Sequence, residues 1–217
     1  ATILGQVSGS ARWDVEVKVP RKLLDGAPVR SRIHYRSDLE GIAVSFPTPL
    51  GKAADTRLPL DLQVELSSDD TLAPQLRLDL GERARLLAVV GTRTSDFRGQ
   101  LQLGKEGPRD LPARGLRVSG QADEVDVAGW AGWVFATTAG SPADAVLSDI
   151  DLAIGSADRL RLDRSDGPWV LHLDGPTAAG QVRFESAGER PAAVIAQFER
   201  LHLPEPGSGV GELAITP

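Results

Sequence analysis

The chain of 217 residues contains no Cys and no Met. The missing Cys excludes disulfides, thiolate metal sites and a cysteine nucleophile together. The missing Met, with Ala1 first, predicts a processed form or an excerpt of something longer. Aromatic residues are few: four Trp, one Tyr and five Phe. Only four of the 24 basic residues are Lys, a bias that carries no functional information. Bases are outnumbered by 30 acids, giving a net charge of −6. That balance argues against a nucleic-acid binder, which would carry a basic patch or stripe. No run is long and apolar enough to span a bilayer, which takes about 20 residues. The longest uncharged stretch, residues 127–143, is rich in Gly and Thr and contains Pro142. The N-terminus lacks a charged leader and an apolar core, so no signal peptide is expected.

What the chain does have is a two-residue period. Trp13, Val15, Val17 and Val19 alternate with charged residues. Leu58, Leu60, Leu62, Val64 and Leu66 alternate with Pro59, Asp61, Gln63, Glu65 and Ser67. Leu76, Leu78 and Leu80 repeat the pattern, as do Ile150, Leu152 and Ile154, and Trp169, Leu171 and Leu173. Shorter versions occur at Ile42, Val44 and Phe46, at Leu101 and Leu103, at Leu116 and Val118, and at Leu201 and Leu203. This period puts one apolar face and one wet face on each strand. Turn chemistry such as Asp25-Gly26, Asp166-Gly167-Pro168 and Asp174-Gly175-Pro176 separates the strands. The expected fold is all-β: an elongated, curved antiparallel sheet of roughly a dozen strands, shaped as a groove, with one or two short helices. The helix candidates are residues 20–24 and a segment starting near Asp126. There an acidic N-cap precedes Val127, Trp130, Trp133 and Val134 at helical spacing. Gly129 and Gly132 weaken the second candidate.

Candidate chemistry is sparse. His34, His172 and His202 lie apart from one another, so imidazole metal binding is not expected. Asp123, Glu124 and Asp126 form an acidic cluster, and Asp149 and Asp151 share a strand face, where solvation explains them better than calcium. His34, Ser37 and Asp38 supply hydrolase residue types but no Gly-x-Ser-x-Gly elbow. The glycines at 207, 209 and 211 lack the following helix that a phosphate loop needs. No catalytic residue, metal site or cofactor is predicted, and no enzyme activity. Paired carboxylates of glycosidase type stay open on spacing alone.

The stretch from Ser37 to Lys52, SDLEGIAVSFPTPLGK, resembles a signature of the YhdP branch of the AsmA-like proteins. Looser resemblance continues at residues 111–120, at Val125, Asp126 and Trp130, at residues 169–175, at Gly180 and at residues 198–204. The resemblance implies an internal length of a long β-groove in a Gram-negative envelope. Such a protein is anchored in the inner membrane by parts outside this stretch, crosses the periplasm, and carries phospholipids to the outer membrane. The partners implied are phospholipid acyl chains and the two membranes, and no nucleic acid. The apolar face then becomes the groove lining: Trp13, Val15, Val17, Ile42, Val44, Leu60, Leu62, Val64, Ile150, Leu152, Leu171 and Leu173. Trp130, Trp133 and Phe135 are expected as a cap or gate. The expected organisation is a β-repeat module over 1–120, a corner at 121–140, a second module over 141–206 and a tail from 207 to 217. The alternative is an envelope scaffold that binds protein partners through its sheet edges.

Overall fold

The computed structural model describes residues 3–20, 29–69, 71–91, 96–108, 110–126, 129–130, 147–155, 158–163, 168–187 and 190–202. Among the described residues a 3-10 turn, Ile3–Gln6, leads into fourteen strands. They are β1 (Val7–Gly9), β2 (Asp14–Lys18), β3 (Arg30–Ser37), β4 (Ile42–Val44), β5 (Leu60–Ser67), β6 (Gln75–Leu80), β7 (Ala84–Val89) and β8 (Arg98–Leu103). After these come β9 (Gly115–Ala122), β10 (Leu147–Ile154), β11 (Asp158–Asp163), β12 (Trp169–Asp174), β13 (Ala178–Ala187) and β14 (Arg190–Leu201). Twelve of them form one open sheet in the order β14-β13-β12-β11-β10-β9-β8-β7-β6-β5-β3-β2, so both edges are free within it. At about 4.8 Å per strand the sheet is roughly 50 Å across. No helix among the described residues is long and apolar enough to cross a membrane.

The open all-β sheet agrees with the periodicity. Nine of its eleven junctions are antiparallel, as expected of half-buried strands joined by short turns. The other two, β8 with β9 and β9 with β10, are parallel. A parallel neighbour forces the chain to cross over the sheet before re-entering it. The stretches expected as two modules therefore feed one continuous sheet, joined at a parallel seam. The helix candidate at residues 20–24 falls almost wholly outside the described residues, as do Trp133, Phe135 and the 207–217 tail.

One segment leaves the large sheet. Between β3 and β5 the chain forms β4, which pairs with β1 as a separate two-stranded sheet. Leu39, Ile42 and Leu58 are buried in this plug and pack with Leu60 and Leu80 of the large sheet. The alternation beginning at Leu58 thus serves two structures: Leu58 belongs to the plug and Leu60 onward to the sheet.

The local chemistry of SDLEGIAVSFPTPLGK explains why it folds this way. The Ser37 hydroxyl donates to the Arg12 carbonyl (2.8 Å) and accepts from the Leu39 amide (3.0 Å). Asp38 Oδ1 accepts from the Glu40 amide at 3.1 Å, an Asx turn. Leu39 itself has φ +50°, and Gly41 has φ +91°. A methyl at Gly41 would overlap the Ser10 carbonyl oxygen, so only Gly fits. Lys52 is buried, and its ammonium donates to three backbone carbonyls: Leu39 O (2.8 Å), Ile42 O (2.6 Å) and Ala53 O (2.9 Å). An ammonium has three donors, and all three are matched.

Candidate functional site

Strand register decides which side chains share a face, because residues directly opposite one another point the same way. Starting at the β2 edge, Val15 lies opposite Tyr35, Tyr35 opposite Leu62, Leu62 opposite Leu78, Leu78 opposite Leu86 and Leu86 opposite Leu101. Across the parallel seam Leu101 aligns with Val118 and Val118 with Ile150. The line continues through Leu162, Leu171, Val182 and Ala196 at the β14 edge. Every one of the twelve strands contributes one residue, and eleven of the twelve are aliphatic. Tyr35 adds the one hydroxyl. In this row only Leu171 is buried; Val15 and Ala196 at the ends are exposed and the others are half-buried. Among the described residues no second sheet covers the row.

Two flanking rows differ from it. The lower row runs through Leu80, Ala84, Leu103, Gly120, Leu152, Leu160, Leu173, Gly180 and Phe198. Its middle is deeply buried: Ala84, Leu103 and Leu152 join Ala122 in one cluster, with Leu50 of the plug and Val125 packed against it. The upper row begins Val17, Ile33, Val64, Leu76, Ala88, Gly99 and Leu116. Val17 there is 59% exposed, whereas Ala88 is 1% exposed.

Of the residues expected to line a groove, Val15, Val17, Leu60, Leu62, Val64, Ile150, Leu152, Leu171 and Leu173 lie on this one face. Trp13 directly precedes β2 and is 44% exposed. Ile42 and Val44 are not in the wall: the structure sets both on β4 of the plug, Ile42 in its core. Alternation identifies a face but not the sheet that carries it. Trp130, expected in a cap, ties the β9–β10 crossover to the plug. Its ring stacks on Phe46 at 5.9 Å, and its indole Nε1 donates to the Thr48 carbonyl at 2.9 Å. Asp126 caps that turn as expected, its Oδ1 accepting from the Gly129 amide at 2.8 Å. Sequence reasoning missed Leu78, Leu86, Leu101, Val118, Leu162 and Val182 as members of the row. Leu78, Leu101 and Val118 stand at alternating positions in the sequence, Leu86 lies in the unbroken apolar run 86–90, and only register shows that all six line up.

The opposite face is a ladder of ion pairs. Arg32 meets Glu65 (2.5 Å), His34 meets Asp61 (2.7 Å), Arg85 meets Asp79 (2.6 Å), and Arg117 meets Asp149 (3.1 Å). A shallow depression of about 250 Å³ is lined by Glu16, Lys18, Arg32, His34, Arg36 and Gln63. Its charged and histidine side chains are in ion pairs, Lys18 and Arg36 both with Glu16. Among the described residues no three His, Asp or Glu side chains converge as metal ligands.

Asp151 on this face is held by two arginines. Arg159 grips it with Nε at 2.8 Å and Nη2 at 2.7 Å. The Arg159 hydrogen bonds hold its carboxyl below the ordinary range, partial burial opposes this, and the charges of Arg159 and Arg161 add to the lowering. A depressed folded value means the pair contributes stability above the ordinary carboxylate range and loses it as pH falls through the folded value. Asp151→Asn is expected to lower stability at neutral pH by less than about 1 kcal/mol, since the pair is solvent-screened. Urea titrations at neutral and strongly acidic pH check this: the two proteins differ at the first and converge at the second.

Residues 1–214 match the family described as YhdP protein. No curated protein matches the chain, and no solved structure does.

Proposed function

The chain belongs to the YhdP family, and we propose that its sheet is one length of a carrier that passes phospholipids between the inner and outer membranes. The acyl chains lie on the apolar face and the headgroups stay in solvent. The observation that carries this reading is the unbroken apolar row through all twelve strands, Val15 to Ala196. Folding alone asks each sheet face to bury its apolar residues somewhere. It does not ask so wide an apolar face to stay half-exposed.

The physical role follows from transfer energetics. Leaving a bilayer costs an acyl chain about 0.8 kcal/mol for each methylene that meets water. A row of aliphatic side chains at about 4.8 Å spacing removes most of that cost at every step. No step requires a covalent intermediate, a metal or a proton transfer, so the role is non-enzymatic. It operates in the periplasm, where an aqueous gap separates the membranes. The salt-bridged face meets water and keeps the sheet from closing on a second copy of itself.

The test is photo-crosslinking in cells, with benzophenone side chains introduced one at a time in the intact protein. Leu78 and Leu162, in the row, are expected to yield phospholipid adducts. Gln63 and Arg161, on the opposite face, are expected to yield none. Adducts of equal yield on both faces, or protein adducts alone at Leu78 and Leu162, overturn the proposal. The second result would favour a scaffold.

A further inference from the structure

The apolar face is not equally wide along its length. At β7 and β8 it is closed in from both sides. On the lower side Leu50 of the plug packs on the cluster of Ala84, Leu103, Ala122 and Leu152. On the upper side Phe97, just before β8, reaches over Gly99. A side chain built at Gly99 would meet Phe97 Cζ at 2.9 Å and Leu116 Cδ1 at 3.1 Å. The ring therefore occupies the space that residue 99 leaves, and Ala88, opposite Gly99, is 1% exposed. Away from this point the same level is more open: Val64 and Leu76 are half-buried and Val17 is exposed.

We propose that β7–β9 form a single-row constriction, bounded by Phe97 above and Leu50 below, through which hydrocarbon passes only over Leu86, Leu101 and Val118. The proposal rests on the carrier reading above and adds a gauge to it. Ala84 and Ala88 are four residues apart on one strand, about 13 Å. Leu50 and Phe97 both intrude on that width. What remains is less than the about 10–12 Å that an α-helix with side chains needs. A peptide lying extended across the row would also bury backbone N–H and C=O groups with no partners, since a sheet face offers none. An acyl chain is thin and has no polar group along its length. The constriction therefore admits an unbranched hydrocarbon and rejects a peptide segment, whether helical or extended.

The test places a block inside the constriction and a control on the opposite face. In cells, benzophenone at Leu78 and at Leu162 reports phospholipid on the two sides of Leu101. Leu101→Trp is expected to change the ratio of the two adduct yields at least five-fold. Gln102→Trp, on the opposite face of β8, is expected to leave the ratio within two-fold. Adding Phe97→Ala to Leu101→Trp opens the upper side and is expected to return the ratio towards that of the unaltered protein. Val118→Phe supplies a second block at the same point if Leu101→Trp fails to accumulate. A ratio unmoved by both blocks, moved equally by Gln102→Trp, or not restored by Phe97→Ala, overturns the constriction while adducts at both flanks keep the carrier. Absence of adducts at both flanks in the otherwise unaltered protein overturns the carrier and the constriction with it.

Discussion

Lys52→Met is expected to destabilise the protein by roughly 3 kcal/mol, although the two side chains have similar volume and reach. Each buried acceptor that loses its donor costs about 1–3 kcal/mol. The carbonyls of Leu39, Ile42 and Ala53 lose the ammonium together, while Leu39 O keeps the Ile42 amide and Ala53 O the Thr56 amide, both at 3.2 Å. Relief from burying a charge, and water entering the plug, offset part of the sum. The loss should be local first. Val44 and Lys52 exchange backbone hydrogen bonds at 2.9 Å, and the Ser10 amide donates to Gly41 O at 3.2 Å. Hydrogen exchange at these amides should accelerate well before the amides of β6 and β7 respond. Lys105→Met provides the comparison, since that side chain is 76% exposed; it should change stability by no more than about 0.5 kcal/mol. Equal effects of the two substitutions in urea denaturation would remove Lys52 from its structural role.

That role also explains how much of SDLEGIAVSFPTPLGK is legible from sequence alone. The spacing of Ser37, Asp38, Gly41, Gly51 and Lys52 marked a specific local structure. It did not say which atoms each residue served. Ser37 and Asp38 beside His34 offered hydrolase chemistry by residue type. In the fold, Ser37 and Asp38 are spent on backbone amides and a carbonyl, and His34 points at Asp61. A lysine that appears as surface charge in composition is instead the centre of the plug.

The two-residue period carried most of the fold, because burial on one face is a short-range pattern. It carried the strands and their faces. It could not carry register, which depends on pairing between strands far apart in the chain. The alignment of Leu101 with Val118, and of Val118 with Ile150, crosses two parallel junctions, and the two-residue period says nothing of how their crossovers return the chain to the sheet. For the same reason Ile42 and Val44 looked like wall residues. Their alternation is genuine, but their partners are in β1 rather than in the large sheet. Trp130 was legible as an unusual aromatic, and its Asp126 cap as a turn; its seat on Phe46 and Thr48 was not, being a contact across some eighty residues.

A charge in the middle row separates a lipid track from an ordinary half-buried sheet. Leu78 lies between Leu62 and Leu86, all three half-buried. Leu78→Asp brings water to that point, and roughly three methylenes of a passing chain would be hydrated at about 0.8 kcal/mol each. The added barrier of about 2.4 kcal/mol corresponds to roughly a 50-fold slower step, at 1.4 kcal/mol per factor of ten. Folding should suffer less, by about 1–2 kcal/mol, because the side chain is only partly removed from water. Leu78→Ala loses similar packing but keeps the surface dry, so it should retain phospholipid adducts at Leu162 within a few-fold. Gln102→Asp, on the other face opposite Arg85, should leave them unchanged. If Leu78→Asp and Leu78→Ala reduce those adducts equally, the loss comes from packing rather than from the hydration of a lipid path. The row would then be no more than the incompletely covered face of a sheet.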